Sequence, residues 1–262
     1  MTTRRSFLAT GVALGATTIL PTNVLAAAHA SNTFQTDGGE ITVYPISHAS
    51  FVMETPDRVI YVDPVGAPEQ YADLPEPDLI LITHEHGDHY SVETLQAVAG
   101  PATQMVVNPA VYDMLPSELQ MKTQEAANGE SVDVSGLMIE AVPAYNITEG
   151  RLDFHPQGRD NGYVFEIDGR RIYVGGDTEG TDEMRALEDI FLAFIPMNLP
   201  FTMDAEQAAD AVAEFQPAYV YPYHYRGRDG GTQDPEEFAA MLGETDAGTE
   251  VRMGDWYAEG EI

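Results

Sequence analysis

The chain has 262 residues, 44% of them apolar, so it can bury a sizeable core and is no disordered acidic tail. Forty-three acidic residues face twelve basic ones, a net charge of −31, which excludes nucleic acid and anionic lipid as partners and suits a salty medium that screens self-repulsion. There is no cysteine, so disulfides and thiolate metal sites are excluded, and any metal must be held by histidine, carboxylate, amide or backbone oxygen.

Residues 1–30 read as a targeting segment and not as part of the fold. Thr3-Arg4-Arg5-Ser6-Phe7-Leu8 closely resembles a twin-arginine export signal. A short apolar stretch from Ala9 to Leu20 follows, and Ala28 to Ala30 offers an Ala-x-Ala cleavage site. The expected location is therefore periplasmic or extracellular. No later segment approaches the roughly 18 apolar residues of a membrane span, so no transmembrane domain is expected. Residues 31–262 are expected to form a single domain.

Along that domain, Ile41–Ile46 reads as a first strand, and Ser50–Thr55 with Arg58–Asp63 as a hairpin around Pro56-Asp57. Leu79–Thr83 is a continuous apolar run, predicted to be a buried central strand. Ser91 caps a helix reaching about Ala99, Gln104–Val107 is a short strand, and Pro109–Leu115 a short helix. The second half repeats the layout. Strands are predicted at Ser131–Val134, Leu137–Val142, Tyr163–Asp168 and Arg171–Val174, the last two joined at Gly169. A helix at Thr181–Glu188, a strand at Phe191–Ile195 and an Asp204-capped helix to Phe215 follow. Ala218–Tyr221 and Glu250–Met253 are strands on either side of a helix at Pro235–Leu242. Two sheets covered by helices would bury this pattern.

The chemistry concentrates at residues 84–89, His-Glu-His-Gly-Asp-His, which hold three of the seven histidines at the end of the Leu79–Thr83 strand. Alternate residues of an extended segment share a side, so His84 and His86 can face one ion while Glu85 faces away. Gly87 permits a sharp turn, after which Asp88 and His89 can reach a second position. Imidazoles and carboxylate crowded on one loop call for a divalent cation between them. Asp177, after Gly175-Gly176 at a strand end, either caps the next helix or bridges two ions. His224, just past the Ala218–Tyr221 strand, is either a packed histidine or a further ligand; the 84–89 cluster favours the ligand. Asp63 ends a strand facing the same region and reads as a buried acceptor holding the 84–89 loop.

With Ser47-His48-Ala49-Ser50-Phe51, Tyr61-Val62-Asp63-Pro64, Val142-Pro143-Ala144-Tyr145-Asn146, Gly175-Gly176-Asp177-Thr178 and Pro222-Tyr223-His224-Tyr225, the central block resembles the metallo-beta-lactamase fold superfamily. Within it the chain resembles the hydrolase branch that includes L-ascorbate-6-phosphate lactonase. The resemblance implies an α/β fold, a four-layer αββα sandwich, with metals in the cleft between the sheets. It implies two divalent ions, Zn2+ first with Mn2+ or Fe2+ as alternatives. His84 and His86 would hold one, Asp88, His89 and His224 the other, and Asp177 would bridge them. The superfamily usually adds a third histidine to the first ion from mid-chain. The matching loop here ends in Asn146 instead, so Asn146 through its amide oxygen, or nearby His155, would complete that site. His48 would lie near the cleft as an orienting group or proton donor.

Divalent ions lower the pKa of bound water, so the expected activity is hydrolysis by a metal-activated hydroxide of an ester, lactone or related small molecule. Asp88 would hold that water as well as metal. A phosphodiesterase or phospholipase-like hydrolase is the alternative, and a noncatalytic metal-binding protein the third reading. Arg151, Arg159, Arg226 and Arg228 stand on loops beside the expected cleft, where they either neutralise an anionic substrate or pair with the acidic surface.

Overall fold

The computed structural model describes residues 32–257, so residues 1–30, read above as an export signal, lie outside the described residues. The first sheet takes β1 (Thr33–Gln35), β2 (Glu40–Ser47), β3 (Ser50–Glu54), β4 (Val59–Val62), β5 (Leu79–Ile82), β6 (Gln104–Val107) and β7 (Thr123–Glu125), in that order. The second takes β8 (Ser131–Val134), β9 (Leu137–Ala144), β10 (Asp160–Ile167), β11 (Arg170–Val174), β12 (Ile190–Pro196), β13 (Tyr219–Tyr223) and β14 (Glu250–Val251), also in chain order.

Both sheets follow one rule. Their first four strands pair antiparallel, through short turns except for the long loop 145–159 between β9 and β10. Their last three joins are parallel. Parallel neighbours need a crossover connection, which is where the helices fall. Val92–Val98 lies between β5 and β6, Ala205–Phe215 between β12 and β13, and Pro235–Gly243 between β13 and β14. The inner parallel strands β5, β6, β12 and β13 are almost wholly buried, and Leu79-Ile80-Leu81-Ile82 is buried throughout.

Three apolar layers hold the sandwich together. Between the sheets, Phe51 stacks on Phe194 at 4.1 Å and Phe194 on Tyr221 at 5.3 Å, with Trp256 edge-on to all three. Outside the first sheet, Leu95, Val111 and Leu119 from the helices pack on Tyr61, Ile80 and Met105. Outside the second, Ala208, Val212 and Phe238 pack on Tyr173, Ala193 and Val220. Helix, sheet, sheet, helix is the αββα order expected from the sequence.

The helix Ala205–Phe215 starts as predicted. Asp204 accepts from the Gln207 amide at 2.8 Å, and the Gln207 side chain accepts from Asp204 N at 3.1 Å, a reciprocal cap. The helix predicted over Thr181–Glu188 shrinks to one turn, Asp182–Arg185. The chain must enter β12 at Ile190, and Asp189 adopts φ 56° to make that turn, which stops the helix early. Strands β1 and β7 and the turns Pro68–Tyr71 and Ser117–Gln120 are too short to carry a readable period.

Candidate metal centre

Every site loop leaves one edge of the sandwich, the carboxyl ends of the parallel strands and the turns beside them. Asp63 follows β4, residues 84–89 follow β5, and Asp177, Asn198 and His224 follow β11, β12 and β13. His48 sits in the β2–β3 turn and His155 in the β9–β10 loop. Carboxyl ends of parallel strands are where open α/β sheets place ligands. Three of these residues, His48, Asp63 and His224, have φ of 54°, 43° and 50°. Left-handed backbone at a non-glycine residue costs of order 1 kcal/mol and clusters at functional sites. Gly176 has φ 64°, and a Cβ there would lie 2.8 Å from the Asn161 carbonyl, so the chain entering Asp177 needs glycine. Gly87 is different: a Cβ would meet nothing within 4 Å, and the turn is made by His89 N and Tyr90 N donating to the His86 carbonyl.

Asp63 organises the loop. Fully buried, it accepts from Thr83 N and the Thr83 hydroxyl at 2.7 Å each, and from His89 Nδ1 at 2.8 Å. Its Nδ1 proton committed, His89 presents a bare Nε2. The Thr83 hydroxyl, having given its proton to Asp63, can only accept from His84 Nδ1 at 3.0 Å, so His84 also presents a bare Nε2. His155 reaches the same end by another route. Its Nδ1 faces the Phe201 carbonyl at 3.2 Å and Asn146 Oδ1 at 3.3 Å, both acceptors, which again leaves Nε2 bare.

These nitrogens converge. His86 Nδ1 lies 3.0 Å from His84 Nε2 and 3.3 Å from His155 Nε2, a triangle of buried or half-buried lone pairs. Asp177 has one oxygen for each side. Its Oδ2 is 3.4 Å from His155 Nε2, and its Oδ1 is 3.3 Å from His89 Nε2 and 3.5 Å from His224 Nε2. His224 Nε2 is also 3.4 Å from Asp88 Oδ2, which is 3.5 Å from His48 Nε2. His89 Nε2, Asp177 Oδ1 and His224 Nε2 are buried without a hydrogen-bond partner, although they face one another. Of these, His89 Nε2 and Asp177 Oδ1 repel unless a cation, a proton or a metal ion, lies between them, while the Asn198 amide at His224 Nδ1 leaves the His224 ring proton on Nε2, where a metal would displace it. The donor set, imidazole and carboxylate with no sulfur, fits a divalent metal of the zinc, manganese or iron type.

The electrostatics agree. Burial, with the charge of His89, holds His84 well below the ordinary imidazole range, and burial lowers His48, His86 and His155, the last to about 4. Neutral imidazole is the ligating form. His89 is the exception: burial is outweighed by Asp177 and Asp63, which raise it well above its usual value, so without a metal its Nε2 also takes a proton toward Asp177, and a metal would take that proton's place. For Asp177 burial is likewise outweighed, here by His224 and His89, so its carboxylate stays far below the normal range. The site draws in positive charge.

All the sequence-predicted residues except Asn146 meet in the cluster. Asn146 lies behind His155, with Nδ2 donating to the Arg151 and Phe201 carbonyls at 3.0 and 2.8 Å. Glu85 faces away to Arg159 at 3.0 Å, as expected. Sequence reasoning missed Asn198, whose amide lies 2.7 Å from His224 Nδ1, and Tyr257, whose hydroxyl lies 2.8 Å from His48 Nδ1. The only sequence signal for Asn198 is its place just after a buried strand; Tyr257 has none. The cluster opens into a cleft of about 630 Å³ lined also by Phe154, Phe201, Arg226 and Arg228.

This sandwich and its histidine–carboxylate edge define a metallo-beta-lactamase-type protein. Residues 29–224 match the family model of the beta-lactamase superfamily domain. A UPF0173 metal-dependent hydrolase of Thermococcus onnurineus is 32% identical over 208 residues, covering 76% of this chain and 91% of that protein. A solved structure from Parabacteroides distasonis, assigned to the metal-dependent hydrolases, superposes with a TM-score of 0.75 at 41% identity, covering 86% of this chain and 98% of that one. The metallo-beta-lactamase fold protein YhfI of Bacillus subtilis, at 14% identity and a TM-score of 0.63, shares the fold. The chain belongs to the metallo-beta-lactamase superfamily and, within it, to the metal-dependent hydrolases of the UPF0173 family. It is a metal-dependent hydrolase.

Replacing Asp63 by alanine leaves three buried donors, Thr83 N, Thr83 Oγ1 and His89 Nδ1, without their acceptor. The expected loss is about 3–5 kcal/mol of stability, read as a fall in the urea midpoint at fixed salt. A change within about 0.5 kcal/mol would show that Asp63 does not hold the loop.

Proposed function

We propose that this hydrolase acts on a small-molecule ester, lactone or related substrate and works with two divalent ions, Zn2+ first and Mn2+ or Fe2+ as alternatives. His84, His86 and His155 would hold one ion, and Asp88, His89 and His224 the other, with Asp177 shared. The observation that carries the reading is the two-sided carboxylate of Asp177, one oxygen toward His155 and the other toward His89 and His224. His155 fits the place of the third histidine better than Asn146, whose amide nitrogen is committed to two carbonyls. When bound, such ions lower the pKa of water and polarise a carbonyl or phosphoryl oxygen.

The chain's own residues supply the rest. Asp88 is exposed on the cleft wall, and its Oδ2 lies between His48 Nε2 and His224 Nε2, placed to orient a nucleophilic water. His48 lies against His224, ring centroids 3.7 Å apart, and lines the same cleft. We assign it the proton that the leaving group needs. A cleft of this size suits a small molecule. The lactonase likeness of the sequence motifs favours a lactone among the esters.

We further propose export by the twin-arginine route and a working medium of high salt, on the strength of residues 1–30 and the net charge of −31. Mass analysis of the secreted form should find a start at Ser31; a start at Met1 in the cytosolic fraction alone would remove the export proposal.

Metal analysis of protein prepared in molar salt should give two ions per chain. Asp177→Asn should bring this to one or none, and chelation should abolish turnover of lactone and aryl ester. Restoring metal at a hundredfold its dissociation constant should return about 2.7 kcal/mol of stability for each site filled. Two bound ions with no turnover across ester, lactone and phosphodiester panels would overturn the assignment. Separately, His48→Gln should lose the limb of the kcat/KM–pH profile that reports the proton donor. An unchanged profile eliminates His48 from that role.

A further inference from the structure

With only twelve basic residues in the chain, where each is spent is informative. Arg151 pairs with buried Glu179 at 3.3 Å and donates to the Thr202 carbonyl at 3.2 Å. Arg159 is clamped by Asp160 at 2.6 and 2.8 Å and by Glu85 at 3.0 Å. Both fasten loops. Arg226 and Arg228 line the cleft and belong to no ion pair among the described residues.

Arg226 is also held in place. Its guanidinium carbon lies 4.1 Å from the centroid of the Tyr257 ring, and its backbone N–H donates to the Tyr257 hydroxyl at 3.1 Å. That hydroxyl lies 2.8 Å from His48 Nδ1, so the stack is tied to the cluster itself. Stacking uses the face of the guanidinium and leaves its edge donors for an oxyanion. Arg228 borders both the cleft and an adjoining hollow of about 620 Å³ walled by Phe154, Leu199 and Phe201. Phe154 and Phe201 meet edge to face at 5.0 Å. Asp88 and Asp177 are turned to imidazoles, which leaves Asp153 as the one cleft carboxylate outside the cluster.

A surface of net −31 repels anions at long range, so an anionic substrate needs local cations to be retained. We infer that the substrate carries an oxyanion, carboxylate or phosphate, away from the hydrolysed bond, received by Arg226 and Arg228 while an apolar portion packs on Phe154 and Phe201. This rests on the hydrolase reading above and narrows its substrate class.

The test pairs p-nitrophenyl acetate with mono-p-nitrophenyl succinate, neutral and anionic esters with the same leaving group, on metal-loaded enzyme at fixed ionic strength. The wild type should prefer the succinate. In Arg226→Gln/Arg228→Gln the ratio of kcat/KM for succinate over acetate should fall by about 10-fold or more, mainly through KM, and Arg226→Lys should keep part of it. An unchanged ratio, or no preference in the wild type, overturns the inference while leaving the hydrolase reading intact. Turnover of neither ester counts against the ester reading alone. Calorimetric binding of glutarate and of phenyl phosphate to metal-loaded wild type and variants then decides. Weaker binding to the variants supports the arginine pair, and the better ligand separates carboxylate from phosphate. Binding that is absent, or equal in both proteins, overturns it. Arg228→Gln alone, at an exposed position, serves if the double variant does not fold.

Discussion

Lone pairs buried together repel, and the site is built around that constraint. Hydrogen bonds from behind the cluster take the Nδ1 protons of His84, His89 and His155, so their Nε2 atoms arrive bare at a common centre. Asp177 adds a carboxylate with oxygens facing two directions. Among the described residues no arginine or lysine pairs with Asp177, and Arg159 is engaged by Asp160 and Glu85. The arrangement is held open by backbone strain and buried hydrogen bonds, which is the expected state of a preorganised cation site.

The fold makes this possible through its matching sheets. Each turns from antiparallel to parallel pairing after its fourth strand, and the parallel strands of both point toward the same edge. Loops at that edge need not fold back into the core, so they can hold polar groups at the seam. The aromatic stack of Phe51, Phe194 and Tyr221 sets the spacing between the sheets and hence the width of the seam. Contacts across it are polar as well. Tyr163 donates to the Ile82 carbonyl at 2.7 Å, and Asn161 N to the Thr83 carbonyl at 3.0 Å, just behind the first metal-facing histidine.

Much of this was legible in the sequence, for identifiable reasons. Leu79–Ile82 declares itself as a buried strand because both faces are covered, and the following His-x-His needs only the two-residue period of extended chain to point His84 and His86 together. Asp204 and Gln207 announce a helix start by local chemistry alone. Asp63 could be read as a buried acceptor from its place at a strand end. What was not legible depends on long-range contact. The choice between Asn146 and His155 turns on how the 146–155 loop folds, and Glu179 sets that fold by accepting from Ile147 N and Thr148 N at 2.7 Å each, from 32 and 31 residues away. Asn198 and Tyr257 reach the histidines only through tertiary packing, and neither carries a motif. The arginines looked equivalent on paper; only the placement of Glu179, Asp160 and Glu85 separates the two that fasten loops from the two that face the cleft.

Because each sheet is assembled from strands consecutive in the chain, each half can collapse on its own neighbours before meeting the other. The proposed ligands come from both: His84, His86, Asp88 and His89 from the first half, His155, Asp177 and His224 from the second. Neither half contains the whole proposed set, so a metal held by it would join the two sheets, tying together pieces of chain that are otherwise consecutive within their own sheet.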